Sequence, residues 1–346
     1  LYGARASPLI FYRRYRDFIT KPESEGGPGF IQSKIDPCCF YKRGNQGDGT
    51  TNGITQEPSM ENMKHSFGLV SAHVDDALLS FSNDQEGRRM RKDFEDKLFN
   101  EFNASPEESS GDQIEYLSLL VQINRERGSM TFKVPKLLIK LKQMLEEIKN
   151  CRGVHPKGGK LKYPLDPYSK DIFEETSEDN PIVPYSEYDS RSILGLAAYI
   201  VLHTRPDCAY AAAVCARFSG CRNTKKVTEA VNHLAWYLID TAEDHILTFW
   251  KTDAISELNA FSDASFANCP ITRKSHYGYF MRYGENIFGW RSKLQSIPAL
   301  SSRDSELIAS VECVKHLLGL RFFLTELGFL HGGPTPVKLD NTASLE

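Results

Sequence analysis

The stretch ELNAFSDASFA, residues 257–267, reads as a β-strand that carries one acid, Asp263. The elements after this strand set the fold of the C-terminal part. YGYFMRYGENIFGWRSK (277–293) reads as a hairpin turning at Gly284-Glu285-Asn286, and SIPALSS (296–302) begins as a short extended piece. A long amphipathic helix comes next, with Ser301 as its N-cap, Asp304 three residues on, and Leu307, Val311, Leu318 and Phe322 on one broad apolar face. TPVKLDN (335–341) reads as another strand, and TASLE starts a helix. The order strand, strand, strand, helix, strand predicts a mixed sheet with the long helix packed against it.

Three acids fall within that order: Asp263 on the first strand, Glu306 in the first turn of the helix and Asp340 at the end of the last strand, 43 and 34 residues apart. A mixed sheet can bring all three to one edge. Such a cluster could hold two divalent ions about 3.5–4 Å apart and support in-line attack of water on a phosphodiester. Each acid also has a simpler explanation. Glu306 favours a helix N-terminus, and Asp340-Asn341 can cap the final helix.

A second acidic feature lies upstream, in GLVSAHVDDALLSFS (68–82). Val70, Ala72 and Val74 alternate before Asp75 and Asp76, and Ala77, Leu78 and Leu79 come after them, so two strands meet at a tight turn. Adjacent aspartates repel unless solvated or compensated by a cation. A solvated turn and a Mg2+ site both fit.

Elsewhere, SPLIFYRRYRDFIT (7–20) reads as a helix with a basic side of Arg13, Arg14 and Arg16, and 42–62 as a Gly/Asn/Thr-rich insertion. Residues 84–102 have helical spacing, with Met90, Phe94 and Leu98 at four-residue steps. Residues 114–134 read as a hairpin turning at Arg127-Gly128, and 135–150 as an amphipathic helix begun by Pro135. The linker 151–167 nearly imitates a phosphate-binding loop, but its spacing fails and no Ser or Thr follows Lys160. Helices dominate 185–247, interrupted at Pro206 and near Gly220.

The 346 residues suffice for two or three domains, and 40% hydrophobic with 25% charged residues is an ordinary globular composition. The net charge of −3 gives no global basic signature, so a nucleic-acid partner needs a local basic face or metal-mediated contact. The eight cysteines contain no C-x-x-C pair and read as reduced, mostly buried thiols in an intracellular setting. The longest apolar run, ILGLAAYIVL (193–202), is too short to span a bilayer, and no signal peptide is visible. Both ends read as cut from something longer.

Several segments resemble a known family. LYGARASPLIFY (1–12), FIQSKIDPCCFYKR (30–43), HVDDALL (73–79), RSILGLAAYIVLHTRPDCAYA (191–211), SDASFANCPITRKSHYGYF (262–280), WRSKLQSIPALSSRDSEL (290–307) and LDN (339–341) are similar, in order, to the Pol polyprotein of copia-type LTR retrotransposons. The similar part is the one carrying reverse transcriptase and RNase H. The resemblance implies an α/β and α+β multidomain fold. Residues 1–150 would be a partial reverse-transcriptase palm and the start of the thumb, 151–255 a linker and helical connection region, and 256–346 a truncated RNase H-like domain. It further implies that Asp75 and Asp76 are polymerase metal ligands, that Asp263, Glu306 and Asp340 are RNase H metal ligands, and that Arg5 and Ser7 contact nucleic acid. The implied cofactor is Mg2+ or Mn2+. The implied partners are an RNA template, a DNA primer, RNA–DNA hybrid, deoxynucleoside triphosphates and the rest of the polyprotein, without a membrane. The implied location is a cytoplasmic virus-like particle and the nucleus.

The chain departs from the family at His73, where an aromatic residue is usual, at Arg5 and Ala6, where lysine and glutamine are usual, and at Phe11, where tryptophan is usual. A further polymerase aspartate is expected before Leu1, and a fourth RNase H residue after Glu346. The polymerase half is therefore expected to be inactive in this chain alone, and the alternative is a decayed or domesticated nucleic-acid-binding remnant without catalysis.

Overall fold

The computed structural model describes residues 7–44, 66–74, 76–102, 111–148, 152–156, 159–165, 172–220, 222–251, 257–330 and 333–340. The architecture is mixed α/β, with three separate four-stranded sheets among the described residues. The chain forms two compact units, Leu1–Glu108 with His316–Pro334, and Ser109–Lys315 with Thr335–Glu346.

In the first unit, strands β1 (Ile31–Gln32), β2 (Cys39–Arg43), β3 (Phe67–His73) and β4 (Asp76–Phe81) form an antiparallel sheet in chain order. Helices α1 (Ser7–Ile19) and α2 (Gln85–Phe102) supply apolar faces at helical spacing. Tyr15 and Ile19 from α1 and Phe94 from α2 join Phe30, Phe40, Val70 and Ala72 in one buried cluster. The β3–β4 hairpin is the expected one, with His73 opposite Asp76. Val74 in its turn has φ +56°, a left-handed conformation that a β-branched residue adopts only under constraint. The arginines of α1 are ordinary surface partners: Arg14 pairs with Glu101 and Arg16 with Asp17.

The second unit holds the other two sheets. In the first of them, β5 (Gln113–Tyr116), β6 (Leu119–Asn124), β7 (Ser129–Lys133) and β8 (Leu247–Trp250) pair antiparallel in that order. Here the reading of 114–134 as one hairpin is corrected. A further tight turn at Leu117-Ser118, with φ +49° and +65°, separates β5 from β6. Neither residue is a glycine or asparagine, so the turn carries no sequence signal. The Tyr199 hydroxyl holds it from outside by donating to the Leu117 carbonyl at 2.9 Å.

Helices α3 (Pro135–Glu146), α4 (Ser190–Thr204), α5 (Ala209–Ser219) and α6 (Lys225–Asp240) build the largest core, around Leu141, Ile200, Cys215, Val231 and Leu234. The helical region is shorter than the 185–247 read from sequence. Asp189 caps α4 by accepting from the backbone N–H groups of Arg191 and Ser192, and Leu247 already belongs to β8. Pro206 breaks the helices as expected.

The last sheet is made of β9 (Leu258–Ser265), β10 (His276–Tyr283), β11 (Asn286–Leu294) and β12 (Val337–Lys338), in the order β11-β10-β9-β12. The first three are antiparallel, whereas β12 pairs parallel to β9, with Lys338 opposite Phe261. The long helix α7 (Ser302–Glu326) provides the crossover between β11 and β12. The segment before α7 forms no strand.

The apolar face predicted for α7 is the wrong one. Leu307, Val311, Leu318 and Phe322 are exposed, and Ala309, Cys313 and Leu317 are buried instead. The helix is apolar on more than one side, so spacing alone could not select the buried side. The described cysteines are free thiols, and all of them except Cys38 are buried. Among the described residues no helix is long and apolar enough to cross a membrane.

Candidate metal centre

Side chains alternate across β9, and Asp263 falls on an exposed position of the strand. Its register partner on β10 is Gly278. Asp340 lies two residues beyond β12, and the parallel pairing of β12 with β9 brings it alongside. Glu306 is the fifth residue of α7, and the start of that helix is closely fixed. The Ser301 hydroxyl accepts from the Asp304 N–H at 3.1 Å, which is the expected N-cap. Gln295, fully buried, donates from its side chain to the Ser305 carbonyl at 2.8 Å and from its backbone to the Ser275 carbonyl at 2.9 Å. The end of β11 thereby ties the first turn of α7 to the start of β10.

Asp263, Glu306 and Asp340 converge, with one carboxylate oxygen from each lying within 4.8 Å of the others. Asp263 and Asp340 are exposed, whereas Glu306 is 5% exposed. One Glu306 oxygen, Oε1, accepts from the Ala264 N–H at 3.3 Å; the other, Oε2, is buried with no hydrogen-bond donor. Burial raises the Glu306 carboxyl above its ordinary value, the Ala264 N–H opposes this, and the charges of Asp263 and Asp340 raise it further.

An all-carboxylate donor set with an orphaned buried oxygen fits a hard divalent cation, which would neutralise the repulsion and satisfy Oε2. It is the one such acidic group among the described residues.

The other residues singled out from sequence do not join it. Asp76 is the exposed first residue of β4 and belongs to no acidic cluster among the described residues. Asp75 and Arg5 lie outside the described residues, as does the side chain of Ser7, the first residue of α1. His276 is a satisfied core histidine: its Nε2 meets the Ser292 hydroxyl at 2.7 Å, and burial, with Arg217 adding, pushes its pKa down to about 4.

Beside the acids, on the sheet face that carries Asp263, lies a cleft of about 550 Å3 that also reaches Pro206, Asp207 and Tyr210. Sequence reasoning missed its lining and missed Gln295. A buried glutamine has no periodicity or motif to announce it, and the cleft depends on how the α4–α5 break meets the sheet.

The whole chain aligns at 29% identity with the retrovirus-related Pol polyprotein from transposon TNT 1-94 of Nicotiana tabacum, covering 23% of that protein. It aligns over 76% of its length at 26% identity with the Transposon Ty1-JR1 Gag-Pol polyprotein of Saccharomyces cerevisiae, covering 15% of it, and with the truncated Ty1-A Gag-Pol polyprotein, covering 22%. The chain is a homologue of copia-type retrotransposon Pol polyproteins. No family model matches it. It spans less than a quarter of the length of these Pol relatives, and its acids at 263, 306 and 340 lie in the region aligned with the tobacco Pol protein.

Proposed function

We propose that the chain is the part of a Pol polyprotein that carries reverse transcriptase and RNase H, and that Asp263, Glu306 and Asp340 serve metal-dependent hydrolysis of RNA in RNA–DNA hybrids. In this reading the β1–β4 sheet with α1 and α2 is a partial palm, the helical region around α3–α6 is the thumb and connection, and β9–β12 with α7 is the RNase H-like domain. The observation that carries it is the convergence of Asp263, Glu306 and Asp340, with one carboxylate oxygen from each within 4.8 Å of the others and the Oε2 of Glu306 buried without a donor.

Mg2+, or Mn2+ in its place, would be held by these three side chains and would supply charge neutralisation at the phosphodiester and an acidified water. The chain's own contribution is placement. The Ala264 N–H and the Ser301 and Gln295 contacts fix Glu306, so that its carboxylate does not reorganise when charge develops nearby. Asp263 and Asp340, both exposed, face the side from which a nucleic-acid strand can approach.

The same reading gives Asp75 and Asp76 to polymerase metal ions and deoxynucleoside triphosphates. It sets Arg5 and Ser7 on the RNA template or DNA primer, and it puts the chain in a cytoplasmic virus-like particle and the nucleus. For the polymerase half a second reading, nucleic-acid binding without synthesis, is favoured by His73 and Ala6, which stand where the family usually has an aromatic residue and a glutamine.

The test is cleavage of a labelled RNA–DNA hybrid in Mg2+. The chain is expected to cut the RNA strand, and Asp263→Asn to reduce the rate by at least about 100-fold, the scale on which losing an electrostatic stabiliser acts. Equal rates for the two proteins, or no cleavage by either, would overturn the nuclease reading.

A further inference from the structure

Gln295 has more hydrogen-bonding capacity than its place in the fold needs. It follows β11 directly and is 1% exposed. Its backbone N–H donates to the Ser275 carbonyl at 2.9 Å, which carries the β10–β11 ladder one step past the last register pair, His276 with Leu294. Any residue except proline could make that bond. The side chain is another matter. Nε2 donates to the Ser305 carbonyl at 2.8 Å, while Oε1 is buried with no donor among the described residues. Burying an amide with one end unpaired costs more than burying an apolar side chain of the same size. The bond does not cap α7 either. A first turn lacks partners for its N–H groups, whereas its carbonyls have helical donors of their own. Core packing and helix capping therefore both leave the glutamine unexplained.

Its partners supply the explanation. Ser275, fully buried directly before β10, accepts at Oγ from the Ala267 N–H at 3.0 Å. Ala267 is buried as well, with φ +48°, a left-handed conformation that alanine adopts at a cost. It lies just past β9, the strand of Asp263 and Ala264. The Ala264 N–H donates to Glu306 Oε1 at 3.3 Å, and Glu306 is the residue after Ser305. These contacts close a ring. It runs from Ala264 to Glu306, through the peptide bond to Ser305, on to Gln295, Ser275 and Ala267, and back along the chain to Ala264. Lys274 adds a tie beside it by donating from Nζ to the Ser296 carbonyl. Glu306 is a member of the ring and Asp263 is bonded to one, whereas Asp340 arrives separately through β12.

The ring opposes a definite force. The carboxylates at 263 and 306 repel, and a helix start free to move would let them part. A site that must be gathered on binding loses affinity to that cost, and a site already assembled does not.

We infer that Gln295 is the positioning residue of the metal centre: from full burial it locks the start of α7 to the β9–β10 connection, and so holds Glu306 and Asp263 together before a cation arrives. The inference rests on the metal-dependent nuclease reading and deepens it.

The experiment titrates the full chain with Mn2+ and reads the free ion by electron paramagnetic resonance. Gln295→Met keeps a similar volume and removes the donor. It is expected to bind Mn2+ about tenfold more weakly than wild type, the lower end of the loss when a group that orients a metal ligand is removed. Its cleavage of hybrid is expected to need correspondingly more Mg2+ and to approach the wild-type rate once Mg2+ saturates. Ser275→Ala opens the ring at another point and is expected to weaken Mn2+ binding in the same direction. Asn223→Ala is the control. It removes a buried amide that donates to the Val183 and Tyr188 carbonyls in the helical region, and is expected to lower the melting temperature without changing Mn2+ affinity. Folded ring variants that bind Mn2+ as tightly as wild type would overturn the inference, as would an equal loss of affinity in Asn223→Ala. If melting curves show Gln295→Met to be unfolded, Ser275→Ala decides alone. Unchanged binding in the ring variants, with Asp263→Asn still weakening Mn2+ and slowing cleavage, sinks the ring and leaves the nuclease. Weakened binding in the ring variants with no cleavage by wild type does the reverse.

Discussion

Glu306 occupies the position in the second unit where a charge is least comfortable. It is buried, one oxygen has no donor, and a carboxylate oxygen of each of Asp263 and Asp340 lies within 4.8 Å of one of its own. Without a cation that arrangement opposes folding, because the ionised group loses water and gains repulsion. Glu306→Gln removes the charge and keeps the shape. In metal-free buffer it is expected to raise the melting temperature by roughly 2–4 °C, the shift that about 1 kcal/mol produces in a unit of this size. Mg2+ is expected to raise the melting temperature of wild type and to leave that of Glu306→Gln nearly unchanged, since a ligand stabilises only the state that binds it. Scanning calorimetry with and without Mg2+ reads both, and equal Mg2+ shifts for the two proteins would remove Glu306 from the site. The identity of the three acids was legible from element order, since one lies on a strand, one near a helix start and one at a strand end. The orphaned oxygen was not legible. It depends on which neighbours fail to donate, and no spacing records that.

The break between α4 and α5 shows what a single element boundary reveals and conceals. Pro206 announces the interruption in the sequence. The reason the break is rigid is Arg205, 3% exposed, which donates from Nε and one terminal nitrogen to the two Asp207 oxygens at 2.9 and 2.8 Å, and from that terminal nitrogen to the Thr241 hydroxyl at 2.8 Å. Its guanidinium also lies 5.3 Å from the centre of the Tyr237 ring. An arginine beside Pro and Asp reads as a surface turn until its burial is known. Asp207→Ala strands a buried cation and is expected to cost about 3 kcal/mol in urea unfolding. Arg205→Met combined with Asp207→Ala is expected to recover much of the loss, because no buried charge is left alone. A double variant as unstable as the sum of the two single variants would mean that the pair is not coupled. The same contrast holds for α7, whose N-cap was readable from Ser301 while its buried side was not, because apolar residues lie on both sides of it.

At the scale of the molecule, one pairing lay beyond sequence reasoning: β8 joins β7 across more than a hundred residues, a long-range choice that local pattern does not constrain. The parallel pairing of β12 with β9, by contrast, gives the mixed sheet read from element order. Charge was legible throughout. With 42 basic and 45 acidic residues the chain has no global attraction for nucleic acid. A protein that neutralises six to ten phosphates with its own cations loses about 10³–10⁵-fold in affinity between 50 and 200 mM salt. If binding runs instead through one or two cations such as Lys338 and an acid-held divalent ion, only about two phosphates are neutralised by protein side chains. For a single strand the slope of log K against log salt should then be near −1.4, which gives about a sevenfold loss over the same interval. Titration of a labelled single-stranded DNA across that salt range at constant excess Mg2+ measures it. A loss of a thousandfold would mean that a basic surface carries the binding, and that the acids are not where the strand is held.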